Sequence, residues 1–544
     1  MNDWRSLARR WAWPVIAVVI GLAVRIVWAQ ADRVVWGDEP FYLWLGQSWL
    51  TGHGYQFFGY SGTHFSPLFP LIAGGLGLLL GDLERGSLVV YVITGALLAL
   101  PLYGIARRVH GEQAAALAAL IAAVYPALTA GVLFWGTMTE PLFLLCAAVG
   151  IYGLVRATQE GGLGAWAMAA IAFGLAYLTR TEGLLYFLVG LAAWVILTWG
   201  RPVSLQRWLA GVGLYVVLFA VIILPYVIYL HQATGVWQLA EEAGAAFDTT
   251  TGLAYQDPAA FDKATWRLDR SGKEVYLFSP ESDRVSFLDS VRANPRGFLR
   301  RVRRNLRDLR DTLFTPKLVP WAMVGLVALG LFSRPWDRRR LRGELLLIGA
   351  LAPPLSFVLF FIQERYLAGM LLPIMLWAAM GTLALGDWLR DSIAQLCERW
   401  GRWREWRWLP AVLVLLILWL MAPQVAALQQ RTHSFQRTHK TAGYWLRDHG
   451  VTAEDVVMCR YPAIAFHAGA AWAATPAEEW PWVLRYARAR GADYLVVDQW
   501  EVERLRPQLR FLLDPAQAPP ELEHLATLRG GVGPVVIYRL RVAQ

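Results

Sequence analysis

Long apolar segments alternate with short, arginine-rich polar stretches over the first four fifths of the chain. A helix needs roughly 20 mostly apolar residues to cross a bilayer, and these segments approach or reach that length. Eleven of them follow the pattern, at 11–30, 88–106, 113–130, 141–155, 165–178, 183–199, 208–230, 318–332, 344–362, 366–386 and 409–425. The pattern predicts an all-α, multi-span transmembrane bundle in residues 1–429.

One more apolar stretch, SPLFPLIAGGLGLLL at 66–80, is short and contains two prolines and three glycines. These features favour a re-entrant or surface-lying helix over a span. If it does not cross, the arginine clusters after the later spans all fall on the side of the amino end, which the positive-inside rule places in the cytoplasm. Loops 31–87 and 231–317 and the carboxyl end are then expected outside a cytoplasmic (inner) membrane.

The composition changes near residue 430, where short apolar strands alternate with helical patterns. Strands are predicted at 456–459, 494–497 and 535–540, and helices at 441–449 and 479–490. We therefore expect a small extracytoplasmic α/β domain at 430–544. The glycine-rich sequence at 530–533 lies between two strands and does not open a helix, so it predicts a hairpin turn rather than a phosphate loop.

Composition narrows the functional class. Of the 544 residues, 56% are hydrophobic and only 17% are charged, which excludes a soluble globular enzyme and a disordered protein. The net charge of +10 comes from arginines between apolar segments, so we attribute it to membrane topology and expect no nucleic-acid partner. Three widely separated cysteines offer neither a disulfide framework nor a CxxC metal cluster.

The loop after the first span carries the most informative pattern. Asp38 and Glu39 form an acidic pair among aromatic residues, and Gly52-His53-Gly54-Tyr55 and the proline-flanked sequence 64–70 follow. Apolar walls at the water boundary raise the basicity of a carboxylate by desolvation, which suits a general base. Alternatively, Asp38 only caps a helix and Glu39 is solvated.

The stretch from Asp38 to Pro70 resembles the first outer loop of the C-type glycosyltransferases. The resemblance is to family 39, which includes the protein O-mannosyltransferases and the lipid A aminoarabinose transferases. The shared order is an acidic pair, an aromatic residue, a helix ending in a glycine turn, and a Pro-Leu-aromatic-Pro start to the next apolar piece. Multiple spans, a large outer loop in the second half and a carboxyl-terminal outer domain extend the likeness to most of the chain.

This resemblance implies a membrane enzyme that transfers a sugar from a polyprenyl-phosphate carrier to an acceptor hydroxyl or phosphate at the outer face, with inversion at the anomeric carbon. In that family the aspartate of the first outer loop is the catalytic base, and it maps onto Asp38. Glu39 matches the second acid of the pair, which helps to bind acceptor or donor. A protein, a glycolipid or an envelope polymer could supply the acceptor.

The leaving lipid phosphate needs a neutralising cation, and arginine's planar fork of donors suits its oxygens. Two candidates lie at predicted outer helix ends. Arg365-Tyr366 resembles the Arg-Tyr that begins a late helix in many family members, and Arg180 precedes Glu182 at the start of another helix. Either arginine could instead be a membrane anchor.

Glu140 lies at the second outer hairpin, where related transferases carry an acidic residue that lines the cavity. An acid at a helix start is also favoured by the helix dipole alone. His64 is a candidate for the sugar site or an interfacial residue. Asp38, Glu140 and Glu182 or His64 could together hold a divalent cation, although family 39 members are usually thought to work without an essential metal.

Two further arginine features lie outside this set. Arg25, inside the first span, is expected to be an anchor or a partner of Glu39 or Glu140 rather than a phosphate ligand. The sequence NPRGFLRRVRRNLRDLRDTLF at 294–314 has apolar residues at helical spacing with arginines between them. Such a helix would lie at the lipid headgroups and attract phosphates, or it is simply a solvated or lipid-facing structural helix.

The chief alternative function is a glycolipid transporter or flippase, and a non-catalytic membrane protein is a second one. Transporters tend to show inverted repeats and ionisable groups near the bilayer midplane. In this sequence the notable charges fall at predicted outer helix ends instead. We therefore predict an enzyme whose partners are the lipid bilayer, a polyprenyl-phosphate-linked sugar donor and an acceptor.

Overall fold

The chain folds into a bundle of apolar helices that carries a mixed α/β domain near its carboxyl end. The computed structural model describes residues 3–134, 138–160, 162–198, 205–239, 258–282, 287–333, 336–396, 408–432, 434–530 and 533–541. The helices before residue 300 and the first two strands are α1 (Asp3–Ala29), α2 (Glu39–Leu50), β1 (Gln56–Phe57), β2 (Tyr60–Ser61), α3 (Leu68–Leu80), α4 (Leu83–Leu97), α5 (Ala99–Val109), α6 (Glu112–Val124), α7 (Pro126–Thr129), α8 (Thr139–Glu160), α9 (Leu163–Thr179), α10 (Gly183–Thr198), α11 (Leu205–Thr234), α12 (Pro258–Trp266), α13 (Phe287–Ala293) and α14 (Pro295–Leu313).

The remaining elements are α15 (Trp321–Phe332), α16 (Arg338–Gly349), α17 (Ala352–Leu355), α18 (Leu371–Leu396), α19 (Leu409–Thr432), α20 (Ser434–Asp448), β3 (Val456–Cys459), α21 (Pro462–Ala468), β4 (Ala471–Ala474), α22 (Trp480–Ala489), β5 (Tyr494–Asp498), α23 (Gln499–Arg504), β6 (Leu522–Gly530) and β7 (Gly533–Leu540). A 3₁₀ segment, Glu364–Met370, leads into α18. The prediction of a helical multi-span bundle with a carboxyl-terminal α/β domain is confirmed.

Each of the eleven apolar segments predicted to cross the membrane is helical over most of its described residues, although some are divided between two or more helices. Among the described residues, seven helical stretches are long and apolar enough to span a bilayer: Trp11–Ala29, Leu83–Val109, Thr139–Glu160, Trp208–Thr234, Arg338–Leu359, Glu364–Ser392 and Leu409–Arg431. The other four predicted spans form shorter apolar helices, as does α3. The protein is therefore a multi-pass membrane protein, and the count of eleven crossings stays a prediction.

The first predicted outer loop folds back onto the bundle. Helices α2 and α3 approach closely because two glycines face each other: a Cβ at Gly46 would lie 1.9 Å from the Pro70 carbonyl oxygen, and a Cβ at Gly74 would lie 2.7 Å from the Gly46 backbone. Small residues allow such backbone contact between apolar helices. This packing fixes α2, and with it the acidic pair at its amino end, against the bundle.

The carboxyl-terminal domain contains a five-stranded sheet in the order β4-β3-β5-β7-β6. Strand β3 runs parallel to β4 and β5, whereas β7 is antiparallel to β5 and β6. The three predicted strands are confirmed, and Gly530 pairs with Gly533 as the predicted hairpin requires, although residues 531 and 532 lie outside the described ranges. Strand β4 was not predicted because it is alanine-rich, which weakens the strand signal. Strand β6 is the strand that the predicted hairpin requires before Gly530.

The carboxyl-terminal domain with its five-stranded sheet, which we call the sheet domain, shares its core with two loops of the bundle. Trp472 of β4 packs against Phe41 at 5.1 Å and Phe278 at 6.1 Å between ring centroids. Asp262 of α12 accepts ion pairs from Arg460 at 2.7 Å and from Arg506 at 3.0 Å. The domain therefore holds the first loop and the described part of the 231–317 loop on one end of the bundle, which we call the domain side; residues 240–257 and 283–286 of that loop lie outside the described ranges.

Histidine 467 should make the stability of this domain depend on pH. Burial, together with repulsion from nearby Lys440 and Arg33, lowers the pKa of His467 from 6.5 to about 3. Since His467 binds its proton more readily in the unfolded chain, protonation favours unfolding. The folded state therefore has its full stability above about pH 6.5 and loses stability as pH falls toward 3. We expect the free energy of unfolding to fall by about 1.4 kcal/mol per pH unit in that window.

Thermal unfolding of the purified protein, followed by tryptophan fluorescence from about pH 7.5 down to about 5, measures this dependence. His467→Gln should flatten it, and His449→Gln, at an exposed position of the same domain, should leave it unchanged. Equal slopes for wild type and His467→Gln would exclude His467 as the source.

Candidate active site

A narrow pocket opens where the amino end of α8, the turn between α9 and α10, and the segment between α17 and α18 meet. Its lining includes Glu140, Arg180, Glu182, Phe357, Arg365 and Tyr366. Five of the residues selected from the sequence therefore lie together, although they come from three distant parts of the chain. Neither arginine of the pocket is an isolated membrane anchor.

Arg180 is the centre of the pocket's charge network. It follows α9 in an extended conformation, and its guanidinium donates to Glu140 at 2.8 Å and to Glu182 at 2.7 Å. Burial lowers the pKa of Arg180, but attraction to the two carboxylates raises it more, so the net shift is upward. Met138, two residues before Glu140, has φ +60, and such a left-handed conformation of a non-glycine residue is strained.

Arg365 and Tyr366 form the opposite wall. The Arg365 guanidinium donates to the Tyr366 hydroxyl at 3.0 Å, and Phe357 stacks on the Tyr366 ring at 4.3 Å. The Arg180 guanidinium lies 5.3 Å from the centroid of the same ring. Cation–π contact and stacking fix the ring between the two arginines, so the phenol hydroxyl has a defined position in the pocket.

Asp38 reaches the pocket through Arg365. Gly37, with φ +63, turns the chain into α2, and Asp38 precedes that helix. Its Oδ2 lies 3.4 Å from Arg365 Nη2, and its side chain is 39% exposed. Within the described residues, Asp38 makes no side-chain capping bond to α2. The carboxylate therefore faces the arginine and water rather than serving as a helix cap.

Glu39 occupies a different place, and the structure corrects two expectations for it. Arg33 donates to both of its oxygens, at 2.7 and 2.8 Å, and the Ser87 hydroxyl adds a bond of 2.9 Å. Its side chain is fully buried, so it is neither solvated nor placed to contact a substrate. Glu39 instead anchors the start of α2 beside Asp38 through these contacts.

Two other expectations also need correction. His64 is half-buried beside Phe65 and is not among the described residues that line the pocket. Arg25 pairs with neither Glu39 nor Glu140; it is fully buried and donates to the carbonyl oxygens of Ala122 and Ala123. These carbonyls belong to the last turn of α6, where an arginine satisfies acceptors that the helix leaves open.

Sequence analysis missed Arg33 and Phe357. Arg33 precedes the acidic pair by a few residues and has no motif of its own. However, an arginine in an apolar stretch needs a partner, and the two nearby carboxylates could have indicated an ion pair. Phe357 lies in a uniformly apolar segment, where nothing distinguishes a pocket residue from a packing residue.

The described residues contain no group of three or more histidine, cysteine or acidic side chains that could hold a metal ion. The proposed cation ligands are divided instead. Arg180 engages Glu140 and Glu182, Arg365 engages Asp38, and His64 lies elsewhere. A guanidinium thus takes the place between the two glutamates that a cation would need.

Comparison with known proteins agrees with this architecture. Residues 64–229, less than a third of the chain, match the family described as dolichyl-phosphate-mannose-protein mannosyltransferase. No curated protein matches the chain. Several solved structures that are similar to it are C-type glycosyltransferases, which confirms the fold resemblance seen in the sequence.

One similar structure is the archaeal oligosaccharyltransferase AglB from Archaeoglobus fulgidus in complex with an inhibitory peptide and a dolichol-phosphate, with 14% identity, a TM-score of 0.57, and coverage of 92% of this chain and 70% of that one. An Archaeoglobus fulgidus oligosaccharyltransferase in complex with Zn and sulfate gives 16% identity, a TM-score of 0.56, and coverage of 96% and 72%. ArnT from Cupriavidus metallidurans bound to undecaprenyl phosphate gives 13% identity, a TM-score of 0.55, and coverage of 97% and 98%.

The buried pair of Arg33 and Glu39 supports a stability prediction. Arg33→Met would leave a buried, unpaired carboxylate, and we expect it to lower the free energy of unfolding by about 3–5 kcal/mol. The double variant Arg33→Met/Glu39→Leu removes both charges and should recover most of that loss. Unfolding in detergent, compared with the exposed control Arg85→Met, measures the cycle. Equal destabilisation of the single and double variants would contradict the ion-pair account.

Proposed function

We propose that this protein is an inverting membrane glycosyltransferase that moves a sugar from a polyprenyl-phosphate carrier to an acceptor hydroxyl or phosphate. The observation that carries the proposal is the contact of Asp38 with Arg365, which brings the acid of the first loop to the wall of a pocket built by distant helices. The lipid phosphates bound by AglB and ArnT, which share the fold, support the class of donor.

Asp38 acts as the general base. As the acceptor oxygen attacks the anomeric carbon, its proton passes to the Asp38 carboxylate, and the bond between that carbon and the phosphate oxygen breaks on the opposite face. The electron pair leaves with the polyprenyl phosphate, and the configuration inverts. General-base assistance contributes roughly 10²- to 10⁴-fold, and the partly exposed position of Asp38 suits contact with an acceptor from water.

Arg365 is the better candidate of the two arginines for the phosphate. Arg180 is held by two carboxylates at 2.8 Å or less, whereas Arg365 meets Asp38 only at 3.4 Å and is 26% exposed. An arriving phosphate can therefore take the Arg365 guanidinium in a bidentate contact and release Asp38 toward the acceptor. The ion pair between Asp38 and Arg365 is then the state of the site without substrate.

The other pocket residues have supporting roles in this proposal. Glu140 and Glu182, oriented by Arg180, accept hydrogen bonds from sugar hydroxyls, and the Tyr366 hydroxyl donates to the phosphate. A divalent cation at this site would have to compete with Arg180 for both glutamates. His64, which does not line the pocket, has no direct role in this proposal.

The pocket is proposed to face the outside of the cytoplasmic membrane. Arg108 and Arg156 both pair with Glu160, so the arginine-bearing carboxyl ends of α5 and α8 lie together at one end of the bundle. The positive-inside rule assigns such an end to the cytoplasm. The domain side, with the amino-terminal loop and the sheet domain, is then extracytoplasmic.

Asp38→Asn should abolish transfer because the amide cannot accept the acceptor proton, with a loss of at least about 100-fold. The assay is release of label from purified protein given a panel of radiolabelled polyprenyl-phosphate sugars. Asp32→Asn is the matched control, since Asp32 lies in the same loop and pairs with Lys440 instead. Normal turnover by Asp38→Asn would refute the assignment of Asp38 as the base. Movement of the donor across a vesicle membrane without its consumption would favour a transporter.

Arg365→Gln should raise the KM for the donor by about tenfold to 100-fold, because it removes a charged hydrogen-bond donor to the phosphate. Arg180→Gln should instead lower stability and kcat, since it leaves two carboxylates without their cation. Steady-state kinetics with varied donor separate the two. A donor KM that rises only in Arg180→Gln would reverse the roles of these arginines.

A further inference from the structure

Helix α14 carries two parallel stripes that the proposed reaction does not use. Its 19 residues include seven arginines and two aspartates. One stripe, the arginine stripe, consists of Arg296, Arg300, Arg303, Arg307 and Arg310. These positions advance by four and three residues in turn, which places them in one row along the helix. All five side chains are exposed.

The second stripe is apolar and borders the first. Leu299, Val302, Leu306, Leu309 and Leu313 advance by three and four residues. Two of them, which we call the leucine edge, point away from the protein: Leu299 is 65% exposed and Leu306 is 53% exposed. A row of exposed leucines directly beside a row of arginines is the pattern of a helix at a membrane surface, with leucines in the acyl region and arginines at the headgroups.

The opposite face of α14 fixes its position on the bundle. The Asn305 side chain is buried and donates to the carbonyl oxygens of Val358 and Phe360 at 2.8 and 2.9 Å. Beyond the helix, Lys317 pairs with Glu364 at 3.0 Å. The stripes are therefore presented in a defined orientation next to the segment that carries Arg365.

The next element makes the surface continuous with the lipid-facing surface of the bundle. Helix α15 begins shortly after α14, and Phe314 stacks on its first residue, Trp321, at 4.9 Å. Trp321 is 67% exposed, and exposed tryptophan at a helix end is typical of the membrane interface. The leucine edge thus lies at the border of an apolar surface that already needs lipid.

We propose that α14 is a docking surface for anionic phospholipid headgroups of the surrounding bilayer, with the leucine edge in the acyl region. Arg310 pairs with Asp311, but among the described residues no carboxylate pairs with the other four arginines of the stripe. Their charge is therefore available to lipid phosphates. A membrane surface is favoured over a soluble acidic partner because the exposed leucines lie on the helix that leads directly into the apolar helix α15 with its exposed Trp321. The proposal depends on the placement of α14 and not on the proposed transfer reaction.

Fluorescence quenching in nanodiscs tests this docking. The full chain carries bimane on Leu306→Cys in a Cys397→Ser background, since Cys146 and Cys459 are buried. The nanodiscs contain phosphatidylcholine with one fifth phosphatidylglycerol, and either lipid carries the doxyl quencher. We expect quenching at position 306 and a preference for phosphatidylglycerol. Arg296→Gln/Arg300→Gln/Arg303→Gln/Arg307→Gln should reduce that preference at least about fivefold, the attraction of one arginine to an anionic surface.

The matched control removes four exposed arginines of the sheet domain, Arg485, Arg488, Arg504 and Arg510, and should keep the preference. If the four stripe substitutions destabilise the protein, Arg300→Gln/Arg307→Gln repeats the test. If neither doxyl lipid quenches the fluorescence at position 306, the proposal is overturned. An equal loss of the phosphatidylglycerol preference in the control would also overturn it. Loss of the preference on adding a low mole fraction of polyprenyl phosphate would assign the stripe to the donor lipid instead and overturn it too. Because no readout is turnover, these outcomes are independent of the proposed reaction.

Discussion

Charged side chains that lie among apolar helices need polar partners, and on the domain side of the bundle opposite charges supply most of these partners. Desolvation makes an unpaired charge costly there. Three sets of ion pairs reduce this cost: Arg33 pairs with Glu39, Arg180 pairs with Glu140 and Glu182, and Arg365 pairs with Asp38. The first is short and buried, the second is short and largely buried, and the third is long and more exposed. The proposed chemistry lies in the third because it is the pairing that a phosphate can most readily exchange.

The aromatic contacts between the loops and the sheet domain explain how this arrangement is held. Trp472 of the sheet domain meets Phe41, which follows the acidic pair by two residues. The Tyr60 hydroxyl is hydrogen-bonded to that of Tyr486 at 2.8 Å. Movement of the sheet domain would therefore be transmitted to α2 and to Asp38. The sheet domain is therefore a structural partner of the first loop.

The helical architecture was predictable from the sequence, and several residues selected from the sequence lie together in the pocket. Asp38, Arg180, Glu182 and Arg365 stood out because isolated charges at apolar helix ends are conspicuous. Their convergence could not be derived from spacing, since it depends on how distant helices pack. The pairing of Glu39 with Arg33 was not predicted, because it depends on the tertiary packing that buries both side chains. Strand β4 was not predicted, because its four residues include three alanines and carry little strand signal.

The position of a bound lipid phosphate tests the central claim most directly. An experimental structure of the protein with a polyprenyl phosphate should place a phosphate oxygen within hydrogen-bonding distance of the Arg365 guanidinium, with the Asp38 carboxylate free of that arginine and facing the same cavity. A phosphate bound elsewhere on the bundle, with the pair of Asp38 and Arg365 unchanged, would contradict the account.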